Sequence, residues 1–237
     1  MTLSQQDVAF ARSLVVEEDA QLIAFNKPSG LAVQGGSGVT LSLEHLLEAF
    51  AKSNGKQPRL VHRLDRETSG VIIAARTKPA AAFFSEAFAG RTAKKTYLAI
   101  VCGGAPAEPE GEIALALKKS SRRGLDTMEV AAGGQTALTR YRTLAVTAEA
   151  ALVELSPETG RMHQLRAHLA AIGRPIAGDG KYGGLYHIGG TEIPRLLLHA
   201  AALDVPYPDG SRRTFVAPPP PEFLNAAQSL GLETPKS

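Results

Sequence analysis

The sequence predicts an α+β fold: one domain on a mixed, largely antiparallel central sheet flanked by helices. Three observations predict it. Strand-like segments fall into hairpin-like pairs with helices interposed, without the regular strand–helix alternation of a doubly wound fold. No linker divides the 237 residues, because Gly103–Gly111 and Gly173–Gly190 are short and lie between strands of what reads as one sheet. The composition, 44% hydrophobic and 21% charged, is ordinary for a globular protein, and a chain of this length buries roughly 70–75% of its unfolded surface without staples. One domain over residues 1–237 is expected, with a core from about 14 to 223, a short N-terminal arm and a C-terminal helix.

Each element has a local reason. Ser13–Val16 and Gln21–Asn26 read as strands around the acidic turn Glu17-Glu18-Asp19. Asn26-Lys27-Pro28-Ser29-Gly30 is a turn cluster, and Gly35–Gly38 a flexible loop. A helix is expected from about Leu43 to Lys52, with Leu43, Leu46, Leu47 and Phe50 on one stripe. The apolar run Val71–Ala75 after Gly70 predicts a strand buried on both faces. Pro79 suits the first turn of a helix running to about Ala89. Lys94–Val101 alternates, placing Tyr97, Ala99 and Val101 on one side. Thr136–Val146 and Ala151–Leu155 form a hairpin pair, followed by a helix over about Arg161–Ile172 and a Gly-rich loop over Gly173–Gly190. Leu196–Val205 reads as a strand, and Pro218–Pro221 precedes a short terminal helix.

Composition excludes several classes. One cysteine, Cys102, makes neither an internal disulfide nor a Cys-based zinc site. No run approaches ~18 apolar residues, so no membrane span is expected, and the start MTLSQQDVAFARS lacks the pattern of a signal peptide. A cytoplasmic protein without metal or cofactor is the default. The net charge is only +3, but the basic residues cluster: Lys56, Arg59, Arg63 and Arg66; Arg91, Lys94 and Lys95; Lys118, Lys119, Arg122 and Arg123. Such clusters either track phosphates or are solvated loops, and charge alone leaves both open.

Familiar nucleotide and metal signatures fail. Gly173–Gly178 has phosphate-loop spacing, but Asp179 stands where the lysine is required. His163 and His168 are five residues apart, about 140° on a helix at ~100° per residue, so they do not form a zinc pair and read as structural or RNA-facing. Two segments stand apart. Asp65 lies between Arg63 and Arg66 just before the buried strand; neighbouring guanidinium charge favours its ionised form, which suits a nucleophile or base, although composition alone favours a salt-bridged loop. Arg161–Leu169 is polar on one face and apolar on the other, which also describes a basic surface helix.

These residues carry a family resemblance. Asn26–Gly30 is similar to an N-K-P-x-G turn, His62–Gly70 to H-R-L-D-x-x-T-S-G, and Lys95–Ala99 to K-x-Y-x-A. Gly160–His168 is similar to G-R-x-H-Q-[IL]-R-x-H, and Gly178–Gly183 and Leu198-His199-Ala200 complete the ordered set. Over about residues 14 to 223 the chain resembles the RluA-type pseudouridine synthases, which isomerise uridine in RNA. About a dozen residues precede the first expected strand, so the small N-terminal RNA-binding module of many members is expected to be absent, leaving the catalytic domain.

The resemblance implies an RNA uridine-to-pseudouridine isomerase with a basic active-site cleft and no cofactor or metal. The C1′–N1 bond breaks, the uracil turns, and C5 is joined to C1′. Asp65 matches the catalytic carboxylate, which either attacks C1′ or removes the 2′ proton. Arg166 matches the arginine that pairs with it and holds it ionised. The target uridine must leave its helix; Tyr97 matches the aromatic that stacks on the flipped base, Arg63 is a wedge for the gap, and Leu165 an apolar wall under the uracil. The remaining basic side chains would position phosphates without reading sequence. The expected partner is structured RNA, ribosomal or transfer RNA, with a monomeric enzyme and no membrane. Two alternatives stand beside this reading. A non-catalytic RNA-binding protein would not require Asp65. A glycoside hydrolase would need two facing carboxyl groups about 5–10 Å apart.

Overall fold

The computed structural model describes residues 3–36, 38–122 and 125–233; Arg122 and Leu125 are described by their backbone only. The chain divides into two compact units: residues up to Lys95 together with Ala200–Pro218, and Thr96–His199 together with residues from Pro219 on. Helix α1 (Gln5–Ser13) opens the first unit, with the Ser4 hydroxyl accepting from the Asp7 N–H and the Asp7 carboxylate from the Ser4 N–H. This helix is not among the elements expected from sequence, because only Ala11 is buried and its apolar stripe is weak. Strands β1 (Val15–Glu18) and β2 (Leu22–Lys27) pair antiparallel around Asp19, whose carboxylate accepts the Gln21 and Leu22 N–H groups at 2.7 and 2.9 Å.

The helix expected over Leu43–Lys52 is shorter. Helix α2 (Leu43–Leu46), capped by Ser42, passes into a 3₁₀ turn (Leu47–Phe50). The N–H of Lys52 turns instead to the Lys56 carbonyl across the Asn54-Gly55 bend, so the helical ladder stops. Strand β3 (Arg59–Leu60) precedes β4 (Ser69–Ala75), whose seven residues are all buried, as its apolar run predicts. Strand β2 pairs with β4 from Leu22↔Ala75 to Lys27↔Gly70, and β3 pairs with its end. Helix α3 (Lys78–Ala89) is capped by Thr77, carries Pro79 in its first turn as expected, and buries Ala80, Phe84 and Ala87.

Strand β5 (Lys94–Cys102) carries the chain into the second unit. There β6 (Glu110–Ile113), a two-stranded ribbon of β7 (Leu117–Arg122) and β8 (Leu125–Val130), and the pair β9 (Thr139–Val146) and β10 (Ala150–Pro157) follow. Strand β10 pairs antiparallel with both β5 and β9, and β6 with β9. Helix α4 (Gln164–Ala171) packs Leu165 and Leu169 into a core with Ala99, Val101, Val153, Leu155 and Ile176. A small ribbon pairs β11 (His187–Ile188), inside the expected Gly-rich loop, with β12 (Thr191–Glu192), just beyond it. Strand β13 (Leu198–Pro206) returns to the first unit and pairs with β14 (Arg212–Val216); α5 (Pro221–Ser229) closes the described chain.

The predicted class, α+β with a mixed, largely antiparallel sheet, holds. Of the three crossings between units, two fall inside strands, at Lys95–Thr96 in β5 and His199–Ala200 in β13, and the third falls at Pro218–Pro219, ahead of α5. Among the described residues no helix is long and apolar enough to cross a membrane.

Candidate active site

In the first unit, Asp65 stands half-buried in the loop between β3 and β4. Polar contacts pin the loop on both sides of it. Upstream, the His62 Nε2 accepts the Ile73 N–H at 3.0 Å, and the ring stacks on Phe88 with centroids 4.3 Å apart. Burial, helped by the charge of Lys95, pushes the His62 pKa down to about 3. The ring is therefore neutral at neutral pH, and with Nε2 accepting, its proton sits on Nδ1.

Downstream, the Lys27 ammonium is 0% exposed and donates to the carbonyls of Pro28 and Leu31 at 2.9 Å and of Arg66 at 3.0 Å. The Gly30 N–H donates to the same Arg66 carbonyl, the Arg66 Nε donates to the Gly30 carbonyl, and the Ser29 hydroxyl to the Glu67 carbonyl. The Asn26–Gly30 turn thus exists to hold residues 66–67, and its lysine is a structural cation that satisfies carbonyls lacking ladder partners. The Thr68 N–H closes a turn onto the Asp65 carbonyl at 3.1 Å. Gly70, at φ +116°, leaves no room for a side chain: a Cβ there would meet the Ala200 carbonyl oxygen at 2.2 Å.

Of the other predicted residues in this unit, Arg63 is exposed and makes no hydrogen bond or ion pair among the described residues. Lys56, Arg59, Arg66, Arg91 and Lys94 are also exposed.

In the second unit, the Gly160–His168 motif is a set of anchors around one arginine. Gln164 uses its whole amide: Oε1 accepts from the Thr159 hydroxyl and the Arg161 N–H, and Nε2 donates to the Leu138 carbonyl and the Thr139 hydroxyl. His168 is buried between the Thr139 hydroxyl and the Leu115 carbonyl, 3.0 Å from each; burial lowers its pKa, although the Leu115 carbonyl opposes this. Nε2 must donate to that carbonyl, so His168 is a neutral structural residue. Arg166 is buried, and its Nε and Nη2 both bind the Asp179 carboxylate at 2.7 Å, a bidentate pair with Asp179 1% exposed. Its guanidinium carbon lies 5.1 Å from the centre of the Tyr182 ring.

Tyr97 and Leu165 belong to the same apolar cluster. Leu165 is buried in it, and the half-buried Tyr97 packs against it from β5. Lys118 and Lys119 are exposed on β7, with Lys119 bridged to Asp126 at 2.7 Å; Arg123 and the Arg122 side chain lie outside the described residues. The roles of Lys27, His62, Asp179 and Tyr182 are not legible from the sequence. All four sit inside family motifs, but each works through a partner that spacing does not reveal.

A family model described as RNA pseudouridylate synthase matches residues 21–171. The ribosomal large subunit pseudouridine synthase C of Rickettsia bellii is 38% identical over 189 residues, covering 77% of this chain and 62% of that protein. The protein of the same name from Vibrio cholerae is 36% identical over 223 residues, covering 93% of this chain and 70% of its own. The chain therefore spans about two thirds of the length of these relatives. The solved structure of human RNA pseudouridylate synthase domain containing 4 matches with a TM-score of 0.84 at 30% identity, over 99% of this chain and 100% of that one. A match over most of the chain to the family, and to a near full-length solved structure of it, makes this chain a member of the RNA pseudouridylate synthase family.

Proposed function

We propose that the chain is an RNA pseudouridine synthase with Asp65 as its catalytic carboxylate. The observation that carries the reading is the setting of Asp65: half-buried, on a loop fixed on one side by neutral His62 and on the other by the Lys27 cage. A carboxylate that must meet C1′ or the 2′ proton of one nucleotide needs such a rigid mount. In either route the C1′–N1 bond breaks, the uracil rotates, C1′–C5 forms, the C5 proton leaves to water, and N1 gains a proton.

Arg166 is the partner we assign to Asp65. Within the second unit, Asp179 holds its Nε and Nη2. Tyr97 stacks on the flipped uracil, Leu165 walls the base, and Arg63 fills the vacated stack. Exposed lysines and arginines hold phosphates. Ribosomal RNA of the large subunit is the proposed substrate, because that RNA is in the names of the relatives; transfer RNA is the alternative substrate class. We further propose that both units serve one catalytic domain, acting as a cytoplasmic monomer.

The test is tritium release from 5-labelled uridine in ribosomal and transfer RNA. The wild-type chain should release tritium from one of them, and Asp65→Asn and Asp65→Ala should not, while still binding RNA. Turnover by either variant above a few per cent of wild type overturns the assignment of Asp65. RNA binding without release by the wild-type chain would favour a non-catalytic RNA-binding protein.

A further inference from the structure

We propose that Tyr182 is a positioning residue for Arg166, tying the β7–β8 ribbon to that arginine; the inference rests on the reading of Arg166 above. Tyr182 contacts both. Its hydroxyl accepts the backbone N–H of Met128, on β8, at 2.7 Å. The same oxygen is 3.0 Å from Nδ1 of His163, the residue that opens α4 in the left-handed conformation at φ 49°. Its ring lies against the Arg166 guanidinium, 5.1 Å from centroid to carbon.

Asp179 grips Arg166 in the plane of the guanidinium, through Nε and Nη2. The guanidinium carbon lies over the Tyr182 ring, a cation–π contact that adds to the hold of the carboxylate. The Tyr182 N–H donates to the Asp179 carbonyl at 3.1 Å, so the two gripping side chains share one turn. The other end of the device is apolar. Leu117 and Met128 of the ribbon pack with Ala137 and with Ala167 of α4, and Tyr182 and Met162 lie against that cluster. The ribbon displays Lys118 and Lys119, two of the side chains assigned to RNA phosphates. Tyr182 is thus the side chain through which a ribbon seated on the RNA backbone and the arginine of the reaction keep one register. Its loss separates binding from chemistry.

The test uses the full chain. Tyr182→Phe keeps the ring and deletes the oxygen that takes the Met128 N–H; Tyr182→Leu deletes both contacts. At saturating enzyme, single-turnover tritium release from ribosomal RNA should fall about tenfold in Tyr182→Phe and further in Tyr182→Leu, while the RNA Kd stays within about twofold. A saturating rate within about twofold of wild type in both variants, or a loss confined to Kd, overturns the proposal. A second readout does not depend on turnover: the NMR signal of the Arg166 Nε–H, held by Asp179, should exchange with water several-fold faster in Tyr182→Leu than in wild type. Equal exchange overturns the positioning role. Faster exchange in a chain whose wild type releases no tritium from any RNA supports it, and places the failure with the assigned activity.

Discussion

The Lys27 ammonium donates to the Arg66 carbonyl at 3.0 Å, one residue beyond Asp65 and thirty-nine residues away in sequence. No solvent reaches this lysine. It donates to three carbonyls, and the loop that presents Asp65 is built around it.

Removing that cation should be costly. Lys27→Met keeps the stem but takes the ammonium from the Pro28 and Leu31 carbonyls and leaves that of Arg66 with the Gly30 N–H, and is expected to destabilise the fold by about 2–4 kcal/mol. Urea unfolding measures this, and a change below about 1 kcal/mol would show that the cage relaxes around water instead. Activity should fall with stability, since the mount of Asp65 loosens.

The buried pair in the second unit gives a geometric prediction. Asp179→Asn retains the shape but cannot offer two anionic oxygens to the guanidinium, and Arg166→Lys retains the charge without the fork. Each should lower the single-turnover rate by at least about tenfold, with stability losses of roughly 3 kcal/mol where a buried charge loses its partner. Wild-type rates in Asp179→Asn would mean that the Asp179 pair does not orient Arg166 for the reaction.

His62 sets an acid limit. Its folded pKa, about 3, lies below the ordinary 6.5, so between these values the unfolded chain binds a proton that the folded chain refuses. The neutral form favours folding, and the associated stability is complete above pH 6.5. It declines as pH falls, at roughly 1.4 kcal/mol per pH unit toward pH 3. His168 shifts in the same direction, so the difference between wild type and His62→Gln isolates the first site. Unfolding free energies at pH 7 and pH 5 should converge between the two proteins; parallel pH dependences would show that His62 does not carry the effect.

Gly70→Ala should fail to reach the native fold in good yield. The new methyl would collide with the Ala200 backbone, and φ at +116° is strained for any L residue. Soluble yield and Tm report the outcome; an alanine variant with an unchanged Tm would contradict the close approach of Ala200.

Charge on the β7–β8 ribbon should appear as salt dependence. Lys118→Ala with Lys119→Ala should reduce the log–log salt slope of RNA binding by about 0.7–0.9 for each phosphate left without its cation, and should weaken unrelated RNAs alike. Weaker binding of one RNA sequence only would show base readout at the ribbon.

Legibility in the sequence follows local chemistry. Strand β4 is plain because the five-residue apolar run Val71–Ala75 needs no partner to be recognised. Helix α1 is not, since Val8 and Phe10 stay exposed and only its capping box marks it. The β7–β8 ribbon is hidden because its lysines and serines read as loop, and it buries little beyond Leu117 and Met128. At the site, Asp65 and Arg166 can be named from motifs, but Lys27 binding a carbonyl thirty-nine residues on, and Arg166 meeting Asp179, follow from folding that no local period encodes.

The two mid-strand crossings matter for synthesis. When Lys95 has been made, β4 still lacks β13, which begins beyond the next hundred or so residues. At roughly 5–20 residues per second, the nascent chain carries an unfinished edge on a strand that is mostly apolar for about 5–20 s. That interval is when a ribosome-associated chaperone has most to protect. A stalled or truncated message ending in the second unit would leave a fragment that sticks to its neighbours through β4.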